Sequence, residues 1–149
     1  MKRRVESAEA MLALGERLGS VLEPGDLVLL TGELGAGKTT LTQGIAKGLG
    51  IERAVTSPTF VTVKPYLLVG GGEFFHVDLY RVEDPDYLSD QGILEELEDG
   101  ARVVVEWAER SRPLDEYERL LVRIHQDGEG RCMEFEATSE WQERLRWLL

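Results

Sequence analysis

The segment Gly32-Glu33-Leu34-Gly35-Ala36-Gly37-Lys38-Thr39 sets glycines, a lysine and a hydroxyl at the spacing G-x-x-x-x-G-K-T. That set can hold a polyphosphate. Gly32, Gly35 and Gly37 let the backbone adopt turns closed to larger residues, so that successive N–H groups converge on an anion at a helix N-terminus. Lys38 would reach the β- and γ-phosphates, the Thr39 hydroxyl would ligate Mg²⁺, and the Thr40 N–H would meet the α-phosphate. The loop residues Glu33, Leu34 and Ala36 complete the cradle through their main chain. The pattern has meaning only between a strand and a helix. The apolar run Leu27-Val28-Leu29-Leu30 supplies the first, and a helical pattern over Thr40–Leu49, closed by Gly50, supplies the second.

Binding a triphosphate needs little more than this loop, whereas hydrolysis also needs a carboxylate near the metal and a group that orients water. Val103-Val104-Val105-Glu106 reads as a buried parallel strand that delivers an acid to the carboxyl edge of a sheet, where open α/β sheets bind ligands. Glu106 is therefore the first choice for the metal. Phe74-Phe75-His76-Val77-Asp78 places a second acid in the same way, and Asp78 either serves the site or pairs with Arg81. A lone histidine beside a core is more often structural than catalytic, which is the reading favoured for His76. Thr56-Ser57-Pro58-Thr59 follows the loop by about twenty residues, where many nucleotide switches keep a threonine that contacts Mg²⁺ or the γ-phosphate; a plain proline turn explains it equally well.

The elements that must position these groups fit one domain over residues 1–149, large enough to bury a core. Ser7 can cap a helix to about Gly19 with Met11, Leu14 and Leu18 on one face. Phe60–Tyr66 and Glu73–Leu79 read as an antiparallel pair joined at Gly70-Gly71-Gly72, and Asp84–Leu97 as helix broken near Gly92. Strands are expected near Arg119–His125 and Arg131–Ala137, joined at Asp127-Gly128-Glu129-Gly130. A final helix begins with Ser139 and Gln142 at capping-box spacing and carries Trp141, Leu145 and Leu148 on one stripe, with Trp141 and Trp147 read as packing groups.

Composition excludes several classes. The single cysteine, Cys132, rules out an internal disulfide and is expected to fill core space on a strand. A net charge of −11 would repel a nucleic-acid backbone, so any RNA would be held by a partner. No apolar run nears the roughly 18 residues that span a bilayer, and Met1-Lys2-Arg3-Arg4 opens no leader pattern, so a cytoplasmic location without membrane association is expected.

Taken in order, Gly32 to Thr40, Ser57-Pro58-Thr59-Phe60, His76-Val77-Asp78-Leu79-Tyr80-Arg81, Gly92-Ile93 and Glu106-Trp107 closely resemble the TsaE family, formerly YjeE, over roughly Ser7 to Ala137. The resemblance implies a three-layer α/β P-loop NTPase fold, a mixed central sheet flanked by helices. It implies an ATPase subunit, monomeric or weakly oligomeric when alone, of the bacterial machinery that installs threonylcarbamoyl on tRNA adenosine, working on TsaD and TsaB and touching tRNA only indirectly. By matching position, Thr39 and Glu106 would hold Mg²⁺, Thr59 would act as a switch residue, Asp78 would support hydrolysis, and Trp107 would pack beside the site. Arg131, with Gly130, and the Ser7–Glu9 segment, including Glu9, resemble stretches near the family's adenine pocket. The rival reading is a small-molecule kinase on the same loop, disfavoured because no Arg-bearing lid segment stands between Lys47 and Gly100. A guanine-reading Asn-Lys-x-Asp segment is also missing.

Overall fold

The computed structural model describes residues 1–52, 55 and 62–149. Thr59, with the rest of the Ser57–Phe60 motif, lies outside the described residues. The described residues order their elements as β1 (Lys2–Val5), α1 (Ala8–Ser20), β2 (Leu27–Gly32), α2 (Lys38–Gly48), β3 (Val63–Leu67), β4 (Glu73–Asp78), α3 (Tyr87–Asp90), α4 (Ile93–Glu98), β5 (Arg102–Glu106), β6 (Leu120–Asp127), β7 (Gly130–Ala137) and α5 (Ser139–Leu148), with a 3-10 turn at Ala108–Arg110. Among the described residues seven strands form one sheet in the order β1-β7-β6-β2-β5-β4-β3. Its centre, β6-β2-β5-β4, is parallel, and antiparallel pairing adds β7 and β1 at one edge and β3 at the other.

Strand alternation sorts the core into two layers. Val28, Leu30, Phe74 and Val104 pack with Met11, Leu14 and Leu18 of α1, Leu41 and Ile45 of α2, and Trp141, Leu145 and Leu148 of α5. Leu27, Leu29, Phe75, Val77, Val103 and Val105 pack on the other face with Leu88 of α3 and with Ile93 and Leu97 of α4. The same alternation aims His76, Asp78 and Glu106 toward the α2 side of the sheet. The expected α/β architecture with flanking helices is what forms. Ser7 caps α1 by accepting from the Ala10 N–H at 3.1 Å. Gly92, at φ 75°, divides α3 from α4.

Helices α1 and α2 meet backbone to backbone through Gly15, Gly19, Gly44 and Gly48. A Cβ at Gly44 would stand 2.3 Å from the Leu12 carbonyl oxygen, and one at Gly19 2.1 Å from that of Ile45. Gly44→Ala gains about 1 kcal/mol of helix propensity. It must also separate two packed helices, at a cost of roughly 1–3 kcal/mol or more. The expected outcome is a melting temperature lower by on the order of 5 °C in circular dichroism; an unchanged or higher value would contradict this packing.

Several local expectations are corrected. Strand β1 adds to β7 where none was anticipated, with Val5 opposite Arg131. Helix α2 starts at Lys38, two residues earlier than expected, because Gly37 at φ 113° serves as its N-cap. The capping box at Ser139 does not form. Thr138 is the N-cap residue, its hydroxyl accepts from the Arg119 N–H at 3.2 Å, and Gln142 donates to the Ala137 carbonyl at 3.1 Å. Trp141 is fully buried under the Arg144 guanidinium, which lies 3.8 Å from the ring centroid and also pairs with Asp26, whereas Trp147 is 85% exposed and does not join the core. Cys132 is only half-buried on β7; its neighbour Met133 is the one that turns into the core.

Candidate functional site

The carboxyl ends of β2, β4 and β5 converge on the N-terminus of α2, and the cleft between them has a volume of about 270 Å³. Leu34, Gly35, Gly37, Lys38, Thr39 and Thr40 line one side, and Asp78, Tyr80, Glu106 and Trp107 the other. Parallel pairing explains the meeting, since Asp78 and Glu106 are register partners on β4 and β5. Sequence segments 28 residues apart thus deliver their acids to one point.

The loop is built as its glycines require. Gly32 has φ 147°, and a Cβ there would lie 2.5 Å from the Ile124 carbonyl oxygen, so β6 excludes any side chain at this turn. Lys38 is 4% exposed, and its ammonium donates to the carbonyl oxygens of Gly32 at 2.5 Å and Glu33 at 2.7 Å. The Glu33 side chain itself points to solvent. Burial pushes the Lys38 ammonium below the ordinary lysine value, opposed by the carboxylates of Glu109, Glu106, Asp78 and Glu33. The Trp107 ring covers this ammonium at 4.1 Å from its centroid. Trp107 holds the left-handed backbone conformation, φ 57°, a strained arrangement for a bulky residue and the kind that clusters at functional sites.

Glu106, 2% exposed, accepts a hydrogen bond from the Thr39 hydroxyl at 2.9 Å through Oε1, and its Oε2 meets His76 Nε2. Asp78 is turned inward, with Oδ1 accepting from the Tyr80 N–H at 2.9 Å. Among the described residues no three His, Cys, Asp or Glu side chains form a metal cluster of their own. A cation at Thr39 and Glu106 would thus meet two hard oxygen donors and draw its other ligands from phosphate and water, a donor set that suits Mg²⁺.

A second cleft, of about 150 Å³, adjoins the first through Gly35, Gly37 and Thr40, which line both. Its remaining walls include Val5, Ser7, Ala8, Met11, Ala36, Glu129, Gly130 and Arg131. Arg131 donates to the loop carbonyls of Ala36 at 3.1 Å and Gly35 at 3.3 Å, tying β7 to the cradle. Glu9 sits exposed in the first turn of α1, and the wall is made by its neighbours Ser7 and Ala8 instead.

The structure therefore joins Leu34, Gly35, Gly37, Lys38, Thr39 and Thr40 with Asp78 and Glu106 in one cleft, and places Ala36 and Arg131 in the adjoining one. Some lining residues, Tyr80 and Met11 among them, and one contact were not singled out from sequence. Tyr80 lines the first cleft and its ring lies 4.9 Å from that of Trp107. Its signal was present, two residues beyond Asp78 in the same motif. Met11 was read only as core, yet it also lines the second cleft. The His76–Glu106 contact could not be read from spacing, because it depends on the register of β4 against β5.

Residues 5–133 match the model of the family described as threonylcarbamoyl adenosine biosynthesis protein TsaE. The chain belongs to the TsaE family. It is 47% identical to the tRNA threonylcarbamoyladenosine biosynthesis protein TsaE of Streptomyces coelicolor over 116 residues, covering 76% of this chain and 78% of that one. It is 38% identical to the Bacillus subtilis protein of the same name over 146 residues, 97% of this chain and 90% of that one. The crystal structure of B. subtilis YdiB superposes with a TM-score of 0.76 at 32% identity, covering 99% of this chain and 93% of that one. These findings agree with the P-loop fold expected of a TsaE-family chain and with its place in threonylcarbamoyladenosine biosynthesis. Among the described residues no helix is long and apolar enough to cross a membrane.

Proposed function

We propose that this chain is the ATP-binding and ATP-hydrolysing subunit of the threonylcarbamoyladenosine machinery, a single cytoplasmic domain acting on a TsaD–TsaB complex and reaching tRNA only through it. One observation carries the reading: a buried lysine, a helix-opening hydroxyl and a buried carboxylate meet at the mouth of a glycine cradle. The triphosphate would lie in the first cleft and the base in the second, joined across Gly35, Gly37 and Thr40.

In this reading Lys38 gives up the Gly32 and Glu33 carbonyls for phosphate oxygens, and loop N–H groups supply most of the remaining binding. Thr39 and Glu106 hold Mg²⁺, which when bound neutralises charge on the phosphates. Asp78, across the cleft, orients or deprotonates the attacking water. Thr59 senses the γ-phosphate. Trp107 and Tyr80 wall the reacting end and limit the entry of bulk water.

The test is phosphate release from Mg²⁺·ATP by the chain alone, and with TsaD and TsaB added. Weak turnover alone and altered turnover with the partners is the expected result. Background release in every mixture would refute the ATPase role, and release that required a small phosphoryl acceptor would support a kinase instead.

A further inference from the structure

His76 is the most deeply buried titratable group outside the roles assigned above. It lies in mid-strand on β4 and is 0% exposed, on the same sheet face as Glu106. It pairs in register with Val104, two residues before Glu106, so the two side chains face each other diagonally across adjacent strands. An imidazole in such a place costs free energy unless hydrogen-bonded. Among the described residues its partner is Glu106 Oε2 at Nε2, and its Nδ1 has none. The proton therefore sits on Nε2, and the ring donates to the carboxylate.

From this geometry we infer that His76 is a positioning residue that fixes the plane of the Glu106 carboxylate and so aims Oε1 at the metal position beside Thr39. The inference rests on the Mg²⁺-dependent reading above. A glutamate's terminal torsion is broad, so its own chain does not determine where each oxygen points. In this structure Thr39 anchors Oε1 and His76 anchors Oε2. When the Thr39 hydroxyl and Oε1 turn to a cation, the hydrogen bond between them is lost. His76 then remains as the anchor. Outer-shell partners of this kind typically change metal affinity 10–100-fold when removed.

The test titrates Mn²⁺ onto the complex of the chain with ADP and follows free Mn²⁺ by electron paramagnetic resonance. His76→Leu is expected to weaken Mn²⁺ binding about tenfold, with metal-free ADP binding unchanged. His76→Gln, whose amide can donate from near the Nε2 position, is expected to restore most of it. A purely structural histidine would lower the melting temperature of both variants and leave Mn²⁺ affinity alone, which would overturn the inference.

A second measurement needs no change at position 76. The chain has only two histidines, so ¹⁵N imidazole spectra, with His125→Gln for assignment, report the His76 tautomer directly. An Nε2–H tautomer whose resonance moves when Mg²⁺ joins the ADP complex supports the inference; an Nδ1–H tautomer, or no response to Mg²⁺, overturns it. If the unaltered chain with ADP binds no Mn²⁺, the functional reading falls and this inference with it. If it binds Mn²⁺ and His76→Leu binds it equally well, the inference alone falls.

Discussion

Lys38→Ala is expected to raise the dissociation constant for ATP by about 10- to 100-fold, the equivalent of the roughly 1.5–3 kcal/mol carried by hydrogen bonds to a charged group. Hydrolysis should fall further, by about 10²- to 10³-fold, because the same ammonium faces charge that grows on the phosphates during transfer. The structure sharpens the expectation. Lys38 is buried between two loop carbonyls and the Trp107 ring, so truncation to alanine also empties space and removes the ammonium donor from the carbonyls of Gly32 and Glu33, the second of which keeps the Ala36 N–H. Lys38→Met keeps the apolar stem and removes only the charge. Isothermal titration with ATP should show similar losses for both variants if the charge is what matters. Wild-type affinity in Lys38→Met would mean that the lysine holds the loop and does not bind phosphate.

The loop and its framing elements were open to sequence reading because each local signal there agreed with its neighbours. An apolar run, a glycine turn and a helical period pointed to one strand–loop–helix unit, and β2 and α2 follow that pattern, with α2 opening two residues early at Lys38. Val103–Glu106 was legible for a related reason: a fully apolar run ending in an acid has few uses outside a central parallel strand, and β5 lies between β2 and β4. What escaped depended on contacts between distant segments. Strand β1, with the sequence Lys2-Arg3-Arg4-Val5, looks like a charged tail, and it becomes a strand because the edge of β7 offers unpaired backbone groups. The Thr138 hydroxyl was drawn to the Arg119 backbone, a partner that no local capping rule can see.

The α1–α2 contact shows a signal that was present and unused. Gly15 and Gly19, and Gly44 and Gly48, recur at four-residue spacing in two consecutive helices. Glycine inside a helix is costly unless something approaches closely, and here each faces the backbone of the other helix. That contact seats the helix whose N-terminus forms the cradle. Stability and site geometry are therefore linked through α2.

Glu106→Ala is expected to lower Mg²⁺-dependent hydrolysis by about 10²- to 10³-fold, comparable to the loss of one preorganised charge-stabilising group. Metal-free ADP should bind almost as before, because the loop N–H groups and Lys38 remain. The alanine variant carries a complication that the structure predicts: it leaves the Thr39 hydroxyl and the buried His76 imidazole without their acceptor, a cost of about 1–3 kcal/mol per group. Relief of burying a carboxylate offsets part of it. Glu106→Gln separates the effects. Its amide oxygen can still accept from Thr39, and the imidazole can change tautomer to accept from the new NH₂, so the melting temperature should stay near that of the unaltered chain. A neutral oxygen is a poorer Mg²⁺ ligand than a carboxylate, so hydrolysis should fall in both variants while stability falls mainly in one. Phosphate-release and melting measurements on the pair decide the matter. Unimpaired hydrolysis in a well-folded Glu106→Gln chain would move the metal to Asp78, the other acid in the cleft.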